Sequence, residues 1–199
     1  MAVVQKKKRA KRVHKELIYE MRYGSPIYYR DYDKVLSGEK KPEKIIGSSD
    51  LQALLVSLIV TFLHNNLDRN RFIIFSNKVG YKFAPRSWYN LDIVIVDKTK
   101  VKKLTGKFLE IFPEVVIEVD TKADLRKFEN PQDYFHRKTQ DLLDIGVKKV
   151  IWIFTKEKKV WLAEQGKRWF ITDWDDTIDV IDKIKLNIQK LIKDEGIKI

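Results

Sequence analysis

Asp92, Glu118 and Lys138 are the residues whose types and positions are hardest to explain as packing. Asp92 interrupts the apolar run Leu91 to Val96 (LDIVIV), and Glu118 interrupts Val115 to Val119 (VVIEV). An unpaired carboxylate is costly to bury, so an acid inside such a run keeps a partner or a cation. Two carboxylates converging from adjacent strands make a hard-oxygen site suited to Mg²⁺. Either acid alone reads equally well as a strand-end residue facing water; two of them in one short sheet favour a site. In the amphipathic stretch that follows, Phe135, Thr139, Leu142 and Gly146 fall on one helical face. Lys138 lies at the edge of that face, from which it reaches over the sheet toward Glu118. Periodicity alone also allows a surface lysine that snorkels to water.

Asp120 and Lys122 follow Glu118 at strand spacing, so all three are expected on one face and Lys122 is a rival to Lys138. Asp124 and Glu129 read as solvated loop acids. His14, His64 and His136 have no metal-ligand spacing. Phosphate-binding glycine loops and a GxSxG elbow are absent. Trp88 and Tyr89, just ahead of Asp92, offer a loop pair able to stack on a base, although aromatic residues most often fill a core.

The elements that must position these residues can be read from apolar patterning. Leu51 to Asn65 reads as a helix, apolar on nearly every side despite Gln52, Ser57 and Thr61, with Ser48, Ser49 and Asp50 as N-cap candidates. Arg71 to Ser76 and Lys78 to Phe83 read as two paired strands turning at Asn77. Leu91 to Val96, Val115 to Val119 and Val150 to Phe154 read as central strands covered on both faces. Gln132 to Ile145 reads as a helix stopped by Gly146. Lys159 to Ala163 and Arg168 to Ile171 form a hairpin, Glu16 to Tyr32 a short helix or strand with a turn, and Ser37 to Gly47 a polar loop. The tail from Thr177 to Lys193 has helical spacing. This order predicts the α/β class, with a mixed sheet and helices on both faces.

Composition bounds the partners. The 199 residues fit a basic arm over 1–15 and a single domain over 16–199. Forty Lys and Arg against 28 Asp and Glu give a formal net charge of +12, which favours a polyanion such as nucleic acid. The arm reads as a solvated tail, with phosphate contact as the sharper alternative. The absence of cysteine excludes disulfides, thiolate zinc sites and cysteine nucleophiles. No apolar stretch follows the basic N-terminal residues, and Leu51 to Leu63 is too short to span a bilayer, so a cytoplasmic protein without membrane partners is expected.

The stretches FPEVVIEVD (Phe112 to Asp120) and KTQDLLDIGVKKVIWIF (Lys138 to Phe154) resemble the Uma-two family of restriction endonuclease-like proteins, within the PD-(D/E)XK nuclease superfamily. That family shows a strand reading P-D-L-V-V-E-V, a helix with lysine, and then G-V-x-E-Y-W. Pro113, Glu114, Val115, Val116, Glu118 and Val119 fit the first part; Lys138, Gly146, Val147 and Trp152 fit the second. Asn90-Leu91-Asp92-Ile93 falls where the family has P-D-V, and Tyr19-Glu20 with Gly24 matches its Y-E-x-x-x-G start. The resemblance runs from about Tyr19 to Trp169. It departs at Leu91 in place of proline, at Leu51 near the family's helix histidine, at Asp120-Thr121-Lys122 in place of a serine-proline pair, and over Ile27 to Ile46, which is longer.

The resemblance implies a restriction-endonuclease-like fold and an Mg²⁺ or Mn²⁺ site at Asp92 and Glu118. It further implies Lys138 as a migrated catalytic lysine, with Asp120 in the usual lysine position, and Glu20 as an auxiliary acid. The expected activity is metal-dependent endonucleolytic hydrolysis of nucleic acid, with DNA as the expected substrate. A non-catalytic nucleic-acid-binding module on the same fold is the alternative. A homodimer is compatible with this activity, and a tail helix over Ile178 to Ile192 would serve as its interface.

Overall fold

The computed structural model describes residues 14–197 and 199. Residues 1–13, most of the expected basic arm, lie outside the described residues. The chain opens with a hairpin of β1 (Ile18–Arg22) and β2 (Ser25–Tyr28), turned at Tyr23-Gly24 with both residues at positive φ. Two short helices, α1 (Tyr32–Ser37) and α2 (Glu43–Ile46), occupy much of the segment expected as a polar loop. Their Val35, Leu36, Ile45 and Ile46 pack on the core, which is why so polar a stretch folds into helical turns.

α3 (Asp50–Asn66) begins where the Ser49 hydroxyl accepts a hydrogen bond from the Gln52 amide, the expected N-cap. Leu55, Ile59 and Leu63 recur every four residues and are fully buried. β3 (Phe72–Ala84) and β4 (Ser87–Asp97) follow as a long hairpin, and β5 (Val115–Val119) pairs with β4. α4 (Pro131–Asp144) crosses over to β6 (Lys149–Phe154), which lies parallel to β5, as a helical crossover allows. β7 (Lys159–Glu164) and β8 (Phe170–Asp173) complete the sheet as the expected hairpin.

The strand order is β2-β1-β4-β5-β6-β7-β8, with β3 pairing on β4, so the sheet is mixed. One face packs against α3, with Ile93, Ile95, Ile117, Val119, Ile151 and Ile153 in that core. The other face, with Val94, Val116 and Val150, packs against α4 and the α1–α2 segment. The expected α/β architecture, a large mixed sheet flanked by helices, is the observed one.

Two expectations fail. Residues 71–83 do not form two strands turning at Asn77. β3 runs through, and Asn77 and Lys78 form a bulge inside it. The tail is not a helix over 178–192 but β9 (Ile178–Ile181), β10 (Ile184–Leu186) and a short α5 (Ile188–Asp194). Ile178, Val180, Leu186, Ile188 and Ile192 are buried in the α3-side core, so this apolar set is spent inside the fold and offers no interface. Among the described residues, no helix is long and apolar enough to cross a membrane.

Candidate active site

β4 is longer than β1 and β5, which share one of its edges, and this difference creates the site. One edge of β4 is taken by β3 along its whole length, from Phe72↔Asp97 to Ala84↔Ser87. Its other edge serves two strands: β1 meets it at Trp88, and β5 meets it at Ile93, Val94 and Ile95. Between them, from Tyr89 to Asp92, that edge has no strand partner among the described residues. Buried backbone groups must be satisfied, and side chains do it here. The Asn90 amide donates to Glu20 Oε1 at 3.2 Å, and Lys138 Nζ donates to the Asn90 carbonyl at 3.1 Å.

Asp92 stands where the β4–β5 ladder opens. The register Ile93↔Ile117, Val94↔Val116 places Asp92 opposite Glu118 at the next step, yet this pair is not part of the ladder. Instead the Val119 amide donates to Asp92 Oδ2 at 2.9 Å, and Gln52 Nε2 of α3 donates to the Val119 carbonyl at 2.7 Å. Both acids are buried, Asp92 at 8% exposure and Glu118 at 1%. The register sets the two residues opposite each other, and their charges are close enough to influence one another.

Lys138 is not a surface lysine. It projects from α4 into the gap, is 1% exposed, and lies 2.6 Å from Glu20 Oε1 and 2.8 Å from Glu118 Oε1. With the Asn90 carbonyl these make three acceptors around a group that has three donors. The faces of Tyr89, Trp152 and Tyr134 surround the ammonium at 5.2, 5.4 and 6.0 Å. Tyr134 Oη donates to the second oxygen of Glu20 at 2.8 Å. Glu118 Oε1 is buried and has no well-aligned hydrogen bond, its lysine partner being close in distance only.

The charge balance is uneven. Among the described residues, Glu20, Asp92 and Glu118 are three buried carboxylates served by one buried ammonium. Burial pushes the Glu118 carboxyl up to about 8; Lys138 opposes this, and neighbouring Asp92 and Glu20 add to it. Burial likewise raises Glu20 against Lys138 and Tyr134, and raises Asp92 against the Val119 amide and Lys138. Burial works against the charge of Lys138, but Glu118 and Glu20 hold its pKa well above that of an ordinary lysine. A divalent cation at Asp92 and Glu118 would offset the surplus negative charge, so these residues fit such an ion.

Other expected residues are placed elsewhere. Asp120 does not share a face with Glu118: the strand ends at Val119, Asp120 takes a positive φ of 55°, and its carboxylate caps Thr155. Lys122 is half-buried past that turn, beside Arg30. Asp124 is not solvated; it is buried, paired with Arg126, and caps the turn that follows. Glu129 is exposed as expected. Tyr89 is not in a loop and cannot meet a base, being fully buried in β4 with its hydroxyl on Asp141 at 2.5 Å. His14, His64 and His136 are exposed.

Sequence reasoning missed Tyr134, Asn90 and Lys78 and noted Gln52 only as a break in an apolar helix. That break was the available signal, because Gln52 is buried on the site. Among the described residues, the one group of three acids with oxygens gathered within 4.8 Å is Asp173, Asp175 and Asp176, exposed in the turn after β8 and remote from these residues in the sheet order.

No protein-family model matches the chain, and no curated protein matches its sequence. Its fold is similar to a crystal structure described as that of "a putative nuclease belonging to DUF820 from Anabaena variabilis ATCC 29413". The two agree with a TM-score of 0.64 over 87% of this chain and 89% of that one, at 14% sequence identity. At that identity the likeness establishes a shared fold.

Proposed function

We propose that this chain is a metal-dependent nuclease that hydrolyses phosphodiester bonds, with DNA as substrate and residues 16–199 acting as one domain. The observation that carries this reading is the position of Asp92 and Glu118, opposite each other at the opened end of the β4–β5 ladder, buried and short of positive charge. The nuclease-like fold and the net charge of +12 support it.

Asp92 and Glu118 would hold Mg²⁺ or Mn²⁺, which supplies charge neutralisation at the phosphate and a lowered pKa for an attacking water. The protein's own residues fix the two donors. The Val119 amide and Gln52 orient Asp92, while Lys138 holds Glu118 and, through Glu20, is itself held by Tyr134. In this reading Lys138 and Glu20 are positioning residues, since Lys138 is buried and its ammonium is held between Glu20, Glu118 and the Asn90 carbonyl.

The test is calorimetric titration of Mg²⁺ or Mn²⁺ into wild type and Asp92→Ala, followed by nicking of supercoiled plasmid with and without metal. Metal binding and nicking in wild type, both lost in Asp92→Ala, is the expected result. Nicking that survives in both Asp92→Ala and Glu118→Ala overturns the assignment. The burial of Lys138 favours a second reading, a non-catalytic nucleic-acid-binding module, which predicts duplex binding indifferent to metal and no nicking.

A further inference from the structure

The sheet is disturbed on both sides of Asp92. On the β5 side its ladder has opened. On the β3 side, Ser76 pairs with Ile93 and Val79 with Leu91, so Asn77 and Lys78 stand as two residues against Asp92 alone. Both have left-handed backbone, with φ of 75° and 54°. Asparagine tolerates that conformation, whereas a lysine there is strained. Strained residues and bulges persist where the surrounding structure enforces them, and beside functional sites they re-aim a side chain.

The bulge places Lys78 on the wall of a cleft of about 370 Å³ between α3 and β3, with its Nζ on the Ile46 carbonyl and 5.7 Å from the centre of the Tyr29 ring. Ser57, Thr61, Ser76, Asn77 and Asp92 line it with Lys78. Beside the apolar Ala53, Val56 and Val60 of α3, these hydroxyl and amide groups can donate hydrogen bonds to an anion's oxygens. Lys78 is half-buried, its Nζ donates to the Ile46 carbonyl at 2.7 Å, and its pKa is pressed down by burial, with Asp92 pulling it up and Lys122 pushing it further down. It therefore lies within electrostatic reach of Asp92 and, unlike Lys138, is partly open to solvent.

We infer that Lys78, placed by the Asn77-Lys78 bulge on the wall of the cleft beside Asp92, is the cation that contacts the nucleic-acid phosphate, while the buried Lys138 acts only by positioning acids. This rests on the nuclease reading for its substrate but on separate residues for its geometry.

The experiment measures binding of a fluorescein-labelled 20-base-pair duplex in EDTA by anisotropy, and nicking of supercoiled plasmid in Mn²⁺. The proteins are wild type, Lys78→Ala, Lys78→Arg and, as a surface control, Lys193→Ala, each checked for fold by circular dichroism. Lys78→Ala is expected to weaken duplex binding about tenfold and to flatten the slope of log affinity against log salt by about one, with Lys78→Arg restoring most of both. Lys193→Ala is expected to stay close to wild type. Where wild type nicks plasmid, Lys78→Ala loses rate as well as affinity. Weakened binding by Lys78→Ala with no nicking by wild type keeps Lys78 as a phosphate contact and removes the nuclease reading. Nicking by wild type with affinity, salt slope and rate unchanged in Lys78→Ala removes Lys78 and leaves the nuclease reading standing. No duplex binding by wild type overturns both.

Discussion

On one face of the sheet, Leu55, Ile59 and Leu63 of α3 meet Ile93, Ile95, Ile117 and Val119, and away from Gln52 and the cleft beside Asp92 the contact is hydrocarbon. On the other face the same strands present Glu118, and α4 returns Tyr134, Lys138, Thr139 and Asp141, all buried. Arg22 reaches Asp141 at 2.6 Å, and the Trp152 indole donates to Thr139 at 2.8 Å. The α3 face gains by excluding water from carbon, a non-directional term that tolerates imperfect fit. The α4 face gains little net energy from burying ions, but it permits only one arrangement of them, because each unmatched charge is costly. The contrast separates a face that supplies stability from a face that supplies geometry.

The largest effects come from breaking each face once. Lys138→Ala leaves Glu20 and Glu118 buried without their cation and is expected to cost about 3–5 kcal/mol. Ile59→Ala opens a cavity in the apolar face and is expected to cost about 2–5 kcal/mol. Similar magnitudes conceal different causes, and denaturant titrations at two pH values tell them apart. The Lys138→Ala loss should shrink at the lower pH, where protonation neutralises buried carboxyls whose pKa burial has raised, and should be partly recovered by adding Glu20→Gln. The Ile59→Ala loss should be the same at both. A pH-independent Lys138→Ala loss would mean that Lys138 matters by its hydrocarbon stem and not by its charge.

A smaller effect sharpens the same contrast. The Glu118 carboxyl is raised from 4.5 to about 8 by burial, then by Asp92 and Glu20, against Lys138. Between those values the folded protein binds more protons than the unfolded chain, so stability falls as pH rises through that window, by on the order of a few kcal/mol. Glu118→Gln removes the titrating group, so its stability should exceed that of wild type at pH 8 and match it more nearly at pH 5. Mg²⁺ should offset the same charge, giving a thermal shift that is larger at pH 8 than at pH 6 and lost in Glu118→Gln. Parallel pH curves for the two proteins would remove the claim that Glu118 carries this strain.

These differences follow what a sequence can and cannot display. The central strands around Asp92, Glu118 and Ile151 were legible because short runs of branched apolar residues favour extended backbone covered on both faces, and a single acid within such a run stands out. α4 was legible from its spacing and from Gly146. Lys138 was ambiguous for a physical reason: its partner Glu20 lies 118 residues away in sequence, and no local pattern tells a snorkelling lysine from a caged one. The resemblance assigned both residues to one site, where periodicity could not, but did not pair them. The tail misled because Ile178, Val180, Leu186, Ile188 and Ile192 satisfy helical spacing loosely, while its true turn at Asp182 (φ 51°) has no glycine or proline to mark it. The β3 bulge was hidden in the same way, since Asn77 and Lys78 take left-handed backbone without a glycine and so mimic the end of a strand.

The smallest expected effect bears on that bulge. Glycine adopts the conformation at position 78 without strain, so Lys78→Gly removes a local penalty of about 1–2 kcal/mol. It also frees the unfolded chain, which takes back roughly 0.5–1 kcal/mol. Loss of the contact from Nζ to the Ile46 carbonyl takes back a little more. The net expectation is a protein as stable as wild type or more stable by up to about 1 kcal/mol, measured by urea unfolding of matched samples. Lys78→Ala keeps the left-handed strain, loses the same contact, and should fall below Lys78→Gly. A residue selected for stability would give the opposite order, with both substitutions costly and glycine the worse of the two for its added chain entropy. If Lys78→Gly is the more stable protein and yet binds duplex as poorly as Lys78→Ala, the strain at the bulge is sustained for its place beside Asp92 and not for the fold.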